Sequence, residues 1–415
     1  MKVASSNLNT KTATCPACGL LCDDVLIENN NNKIKVLSAG NIAGNIAGNK
    51  KCCEKVVRFF EQALHDATPL INGKPASLQQ AIAHAARLLK TSQQPLFMGL
   101  STDVQGFRAI CNLAQKTNGS LQHINAQSTA RNMKVLQSTG WQTTTLTEVK
   151  NRADVIVCIG SDIVSHNPRF FERFVDCDGM FVTAKNRQVI VIGEALNQGI
   201  IKSDALQAAL VLPCRADDLP SVTIALHALV AGKVLKAAEI AGLKVSDLQA
   251  VADKLKTAKY AVLAWAAKDL HFPHAELTIQ NITETVAILN HTTRAAGLPL
   301  GGSDGDTTAN NVNTWLKGTT LQANTYAPSR AYDLQIFVSS LDANNPPQPL
   351  NCPLIVLGVA PVKNVDVFIP VATPGLDCGG TLFRVDSAVI LPLKKILDTD
   401  LPTLSEVVSK IEALL

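Results

Sequence analysis

The sequence predicts an α/β protein in which doubly wound α/β domains follow a small N-terminal unit built around cysteines. Three observations predict it. Short apolar, β-branched runs alternate with segments whose apolar residues recur at helical spacing, the pattern of βαβ units around a parallel sheet. Cys15, Cys18 and Cys22 stand at C-x2-C-x3-C spacing, with Cys52 and Cys53 further on, so four sulfurs can gather around one centre. The chain, 415 residues long and 47% hydrophobic, is too long for one core of ordinary size.

In chain order, VLIE (25–28) and KIKVLSA (33–39) read as two strands around the polar turn Asn29-Asn30-Asn31-Asn32. The tandem repeat NIAGNIAGNKK (41–51) reads as a loop returning the chain toward the first three thiols, and Glu54 to Ala67 as a helix starting directly after the last. Thiolates at a helix N-terminus gain from its dipole and free N–H groups. TPLINGKPA (68–76), with Pro and Gly, marks a boundary. Beyond it, helices are expected at 77–91 and 106–118 and strands at 95–100 and 120–125. DVIVCIGSD (154–162), QVIVIG (188–193) and AALVLPC (208–214) are runs of the kind buried on both faces of a parallel sheet. Two amphipathic helices meeting at Ala241-Gly242 fill 217–258, and KYAVLAWA (259–266) opens a second α/β series. A helix at 274–291, strands in 333–343 and 353–361, a strand–glycine turn–strand over 365–387 and a closing helix at 404–415 complete it. The expected domains are therefore a cysteine unit at 1–67, a first α/β domain at 68–215 and a second at 216–415.

Composition narrows the partners. Net charge is +4, and no basic block interleaves with aromatics, which argues against nucleic acid as a partner. The N-terminus lacks an apolar signal region and no run of about 18 apolar residues follows, so the expected location is the cytoplasm, with no membrane partner. Eleven cysteines in so long a chain do not make a disulfide scaffold. Cys111, Cys158, Cys177, Cys214, Cys352 and Cys378 sit in apolar stretches and read as small buried hydrophobes.

Four thiolates suit either zinc or a cubane iron–sulfur cluster. A zinc ribbon carries two C-x2-C knuckles, whereas Cys52 and Cys53 are adjacent, which leans toward [4Fe–4S]. In doubly wound sheets ligands bind beyond the carboxyl ends of strands. Three loops qualify. Gly160-Ser161-Asp162 could seat a nucleotide-like group, with His166 and Arg169 reaching an anion. Gly301-Gly302-Ser303-Asp304-Gly305-Asp306 is flexible and anionic, without phosphate-loop or calcium-loop spacing. Thr373-Pro374-Gly375 and Gly379-Gly380-Thr381 either admit a ligand close to backbone or form a tight turn. HExxH, GxSxG and the Walker lysine are absent, and no nucleophile, base and orienter stand together.

The stretches CPACGLLCDD (15–24), Ser101-Thr102, EVKNRADVIV (148–157), GSDIVSHNPRFFERF (160–174), ANNVNTW (309–315) and FIPVATPGLDCGGTLFR (368–384) together resemble the B subunit of formylmethanofuran dehydrogenase, in the molybdopterin oxidoreductase superfamily. The resemblance covers most of the chain and implies a molybdopterin-oxidoreductase-like layout. Cys53-Glu54-Lys55 matches the family's last cluster cysteine and the lysine after it, which makes Cys15, Cys18, Cys22 and Cys53 the implied [4Fe–4S] ligands and Cys52 the spare. The dehydrogenase subunit holds tungsten or molybdenum through a cysteine or selenocysteine after the first βαβ strand. Here that segment, residues 124–132, contains none, and Ser128 stands nearest the position. The departure points to a relative, the B subunit of the formyltransferase/hydrolase complex of methylotrophic bacteria. That complex moves one-carbon units between tetrahydromethanopterin and a methanofuran-like carrier and releases formate. The resemblance implies a structural subunit without the pterin–metal centre, held next to a formyltransferase subunit, an amidohydrolase-type subunit and a further structural subunit. The alternative is an active tungsten- or molybdenum-pterin dehydrogenase subunit.

Overall fold

The computed structural model describes residues 10–39, 53–62, 67–194, 203–321, 332–342, 345–348 and 350–415. The NIAG repeat and Cys52 lie outside the described residues. The chain divides into two compact units, one of Met1–Ala126, Gly302–Arg384 and Val389–Leu415, the other of Gln127–Gly301 and Val385–Ala388. The expected blocks at 1–67, 68–215 and 216–415 are consecutive in sequence, whereas each of these units draws on more than one segment. Strand–helix alternation locates strands but carries no information on which of them share a sheet.

The first unit begins with an antiparallel sheet of β1 (Thr10–Ala13), β2 (Val25–Asn30) and β3 (Lys33–Ala39). Asn31 and Asn32, at φ 52° and 62°, form the two-residue turn whose twist suits a hairpin. Helix α1 (Glu54–Phe60) stops short of the expected Ala67. Glu61 caps it and turns its carboxylate to the Val36 N–H at 2.8 Å, beside a register shift in the β2–β3 ladder. The expected boundary at 68–76 is instead a small hairpin, β4 (Leu70–Ile71) and β5 (Lys74–Pro75), turning at Asn72-Gly73. Then come α2 (Leu78–Thr91), begun by a Ser77/Gln80 capping box, β6 (Pro95–Ser101), α3 (Val104–Lys116), capped by Asp103, and β7 (Ser120–His123).

The second unit occupies the chain from there to Gly301. It holds α4 (Ala126–Ser138), α5 (Leu146–Arg152), β8 (Val155–Ile159), α6 (Ile163–His166), α7 (Phe170–Phe174), β9 (Gln188–Ile192), α8 (Asp204–Gln207), β10 (Leu210–Leu212) and α9 (Leu219–Val230). A hairpin of β11 (Glu239–Ile240) and β12 (Leu243–Lys244) precedes α10 (Val245–Thr257), β13 (Ala261–Ala266), α11 (Ala275–Leu289) and β14 (Ala295–Leu300). Ala241-Gly242, expected between two helices, is that hairpin's turn, with φ of 49° and 79°. The sheet order is β10-β9-β8-β13-β14, all parallel. Counted along the unit this is 3-2-1-4-5, the doubly wound order of dinucleotide-binding folds. Val155, Val157, Ile159, Leu263 and Trp265 face a core filled by α9, α10 and α11.

The chain returns to the first unit with α12 (Asp306–Lys317), β15 (Leu334–Ser339), β16 (Leu354–Gly358), β17 (Val367–Pro370), β18 (Gly380–Phe383), β19 (Ile390–Leu393) and α13 (Leu404–Glu412). Its large sheet runs β5-β4-β17-β16-β15-β6-β7, parallel from β17 to β7, with β4 antiparallel to β17. The parallel strands read 2-1-3-4-5, the other common doubly wound order. One face carries Phe97, Ile336, Val338 and Ile369 into a core with α2, α3 and α13; the other packs Phe337, Val356 and Phe368 around Leu70 and Met98.

In the second unit Trp265 is fully buried, donates its indole N–H to Asn132 Oδ1 at 2.9 Å and meets Trp141 edge-on at 5.8 Å. The ring fits because Gly297 has no side chain: a Cβ there would stand 2.9 Å from Trp265 Cζ3. Gly297→Ala is therefore expected to destabilise this unit by about 1–3 kcal/mol, read as an earlier midpoint in denaturant with an unchanged slope.

Candidate functional site

The cysteine loop is shaped by its backbone. Cys15 N–H donates to Cys22 O at 2.8 Å and Leu21 N–H to Cys18 O at 3.3 Å, closing the C-x2-C-x3-C segment into a compact turn. Leu21 has φ 47°, a left-handed conformation that costs a leucine roughly 1–2 kcal/mol. It is held there because its side chain packs with Leu341, Leu382 and Leu393. Cys53 is the N-cap of α1, and its carbonyl accepts the Val56 and Val57 N–H groups. All four sulfurs are enclosed, each residue being between 3 and 6% exposed. Burial, with the nearby Cys18, Cys22 and Cys53, pushes the Cys15 thiol well above its ordinary pKa. The fold thus brings together the four cysteines singled out in the sequence. Among the described residues no three His, Cys, Asp or Glu side chains are drawn tightly enough to chelate one metal ion. A zinc site needs its ligands on a single ion, whereas each cysteine of a cubane binds its own iron.

Ser128 is the third residue of α4, not part of a loop. β7 ends at His123, and only Ile124 and Asn125 intervene before the helix begins. Asn125 is fixed on both sides: its N–H donates to His123 Nδ1 at 3.0 Å, and its amide reaches Ser303 O, Ser303 Oγ and Asp306 Oδ2 at 3.1, 3.0 and 3.3 Å. Ile124 N–H donates to Gly99 O at 3.1 Å. His123 Nε2 lies 3.0 Å from Asp304 O, and burial holds its pKa below the usual value. The imidazole is neutral, with Nε2–H donating and Nδ1 accepting. The loop around Asp304, expected to be flexible, is a set of left-handed turns at Gly302, Asp304 and Gly305. Gly305 lacks a side chain because its Cβ would lie 2.9 Å from Thr102 O.

The switch point of the first sheet lies between β6 and β15, where a register shift follows the left-handed pair Gly99-Leu100. Thr102 is buried, and its hydroxyl faces the backbone of α3: a Cβ on Gly106 would sit 2.2 Å from it. Beside the cysteine loop, Lys55, Arg58, Asp304 and Asp342 line a cavity of about 50 Å³. That is room for a few waters, whereas a cavity of about 280 Å³ lies beyond β6, lined by Asp103, Gln105, Pro374, Gly379 and Gly380.

The switch point of the second sheet lies between β8 and β13. Ser161 Oγ donates to Ile159 O at 3.0 Å and accepts the Ala266 N–H at 2.7 Å, stitching the two strand ends. Asp269 reaches back across them, accepting the Asp162 N–H at 2.9 Å and standing 2.6 Å from His166 Nε2. The position an incoming anion would take is filled by the chain's own carboxylate. Arg169, expected to reach an anion, is 2% exposed and makes a two-point bond with Glu172 at 3.1 and 3.0 Å. Asp269 is the functional-looking residue that sequence reasoning misses; its only signal is an acidic residue just beyond a buried strand.

The glycines at 375–380 serve a turn. Gly375 N–H donates to Cys378 O, the Asp377 carboxylate takes the Thr373 N–H and the Thr399 hydroxyl, and a Cβ on Gly380 would meet Pro374 at 2.8 Å. Of the scattered cysteines, Cys111, Cys158 and Cys214 are buried as expected and Cys177, Cys352 and Cys378 are half-buried. Burial pushes the Cys158 thiol to about 12.

A cysteine-gathering segment on a parallel 2-1-3-4-5 unit, whose chain also carries a parallel 3-2-1-4-5 unit, defines the class: a two-unit parallel α/β protein with an enclosed four-thiol site. Within it the chain is similar to B subunits of formylmethanofuran dehydrogenase and of the formyltransferase/hydrolase complex. It is 26% identical to the B subunit of the tungsten-containing formylmethanofuran dehydrogenase 2 of Methanococcus maripaludis over 430 residues, 93% of this chain and 94% of that protein. The corresponding Methanocaldococcus jannaschii protein is 25% identical over 94% of each. The B subunit of the formyltransferase/hydrolase complex of Methylorubrum extorquens is 34% identical over 91 residues, 22% of this chain and 25% of that protein. A chain in the crystal structure of that organism's formyltransferase/hydrolase complex with methylofuran superposes with a TM-score of 0.71 at 23% identity, over 83% of this chain and 98% of that one, and so shares its fold. No protein-family model matches the sequence.

Asp269 is the tie between the two strand ends at the second switch point. Asp269→Ala should lower stability by about 1.5–3 kcal/mol, and Lys268→Ala should leave it nearly unchanged; chemical denaturation of the two variants checks the contrast.

Proposed function

We propose that this chain is the B-type subunit of a formyltransferase/hydrolase complex in tetrahydromethanopterin-linked oxidation of formaldehyde to formate, a redox-inactive relative of the dehydrogenase subunit acting in the cytoplasm. The observation that carries this reading is the start of α4. Where a sulfur ligand to tungsten or molybdenum would be required, the chain turns in two pinned residues and enters a helix with Ser128 in its first turn. The second unit's switch point argues the same way, its strand ends being tied by Asp269. The residues at the start of α4 do not supply the sulfur ligand that a pterin–metal cofactor of the dehydrogenase type requires.

The cysteines do fit a cluster. Cys15, Cys18, Cys22 and Cys53 would hold one [4Fe–4S] centre, which supplies one-electron chemistry in proteins that use it; enclosure and the small cavity alongside favour a structural part here. Partners are a formyltransferase, a metal-dependent amidohydrolase-type subunit and a further structural subunit. The chain's own work is positional: it fixes two active sites on one assembly, so that a tethered formyl carrier reaches both at raised effective concentration. Among the described residues no helix is long and apolar enough to cross a membrane. Solvent-facing apolar side chains such as Val234, Met180, Trp315 and Phe181, more than 60% exposed, are available for burial against partners.

A second reading, an active tungsten- or molybdenum-pterin dehydrogenase subunit, draws on the end-to-end similarity to tungsten-containing relatives against the short match to the bacterial complex component. The missing thiol favours the first reading. The assembled complex carrying Ser128→Ala should release formate at the wild-type rate, with formyltransferase and amidohydrolase subunits co-purifying; loss of activity in an intact complex would contradict the proposal.

A further inference from the structure

Small metal domains commonly fold only when the metal arrives, because nothing else holds the ligands together. Here three sets of contacts, none involving a sulfur atom, tie the cysteine-bearing segments to the rest of the first unit. Leu21, from the middle of the cysteine loop, is 2% exposed and sits among Leu341, Leu382 and Leu393, side chains contributed from the far end of the sequence. The tip of the β2–β3 hairpin is clamped at two points. Asn29 Nδ2 donates to Ile396 O at 2.9 Å, and Asn32 exchanges two bonds with Asp398, Nδ2 to O at 3.1 Å and Oδ1 from N–H at 3.0 Å. Helix α1, which presents Cys53, is tied outward by the Arg58–Asp342 ion pair at 3.1 Å, and Glu61 joins it to the hairpin by accepting the Val36 N–H at 2.8 Å. The turn joining Cys15 to Cys22 is closed by its own backbone bonds.

We infer that the four-thiol cage is preformed: residues 10–39 and 53–62 fold as part of the first unit without a cluster, and the cluster is a late addition to a finished pocket. This rests on the assignment of Cys15, Cys18, Cys22 and Cys53 as cluster ligands, and it makes the subunit's shape independent of whether they are loaded. A scaffold needs that independence; a metal-nucleated domain lacks it. Leu21 is then a positioning residue for the cysteines. Its left-handed backbone is kept by apolar packing, so trimming it loosens the spacing of Cys18 and Cys22 without removing a ligand.

The test uses the full chain, purified without oxygen, stripped of iron by a chelator under reducing conditions and reloaded with ferrous iron and sulfide. Unfolding is followed by calorimetry and amide hydrogen exchange. The iron-free chain should melt in one transition within about 3 °C of the loaded chain, with the Val25–Ile27 amides still protected. Leu21→Ala should lower the midpoint of both forms by roughly 5–8 °C and bind less iron on reloading, while Arg58→Ala, a partly exposed pair, shifts it by far less. A separate low-temperature transition on stripping, exchange opening across residues 10–39, or a Leu21→Ala chain that melts and reloads like wild type would each overturn the inference. Should wild type accept no iron, the cluster assignment falls; protected amides in that metal-free chain would still uphold the preformed cage, and unprotected ones would refute it.

Discussion

The pairing of β6 with β15 is the contact on which the rest of the first unit depends. It joins strands contributed from opposite ends of the chain into one parallel sheet. Because of it, Leu341 just past β15 and Leu382 on β18 come to lie where Leu21 can enter, and Asp342 where Arg58 can reach it. The cysteine loop, the hairpin clamp and the shape of α1 all follow from a strand pairing formed across the whole length of the second unit's sequence. Parallel pairing demands such crossovers; most use one helix, and here the connection contains an entire doubly wound unit.

That topology also sets what can be read in the sequence. The buried strands announce themselves by composition: VIVCI, AVLAWA, LQIFVS and LIVLG are apolar on both faces and lie in the middle of sheets. The cysteine spacing and the Asn-rich hairpin are equally plain. Sheet membership is not, since nothing in the run 259–266 says that it pairs with β8 rather than opening a new domain. Local chemistry misleads in particular places. The glycine- and aspartate-rich stretch at 301–306 looks flexible in composition, yet His123 and Asn125 pin it. Arg169 reads as an anion ligand, but Glu172, one helical turn on, satisfies it first. At the start of α4, Asn125 directs its side-chain NH2 to the 303–306 turn, a partner that the sequence gives no sign of.

Both sheets keep the doubly wound orders that elsewhere open onto nucleotide sites, and at the second sheet's switch point the chain's own side chains bond one another. In the first unit a cavity of about 280 Å³ lies beyond the strand ends, lined by Asp103, Gln105, Gly379 and Gly380; in the second, Asp269 holds a backbone N–H and an imidazole. A carboxylate already sharing its charge with an N–H and an imidazole is a poor neighbour for a phosphate, since like charges in a partly buried site repel strongly. At this switch point the strand-end side chains serve cohesion. Such an arrangement suits a component whose task is to hold other catalytic chains in register.

The central claim, that the chain has the dehydrogenase subunit's fold without its redox centre, is tested most directly by elemental analysis of the complex isolated from its native host. The account predicts neither tungsten nor molybdenum above trace level for each copy of this chain, whatever the iron content. Tungsten or molybdenum at one atom per chain would contradict it.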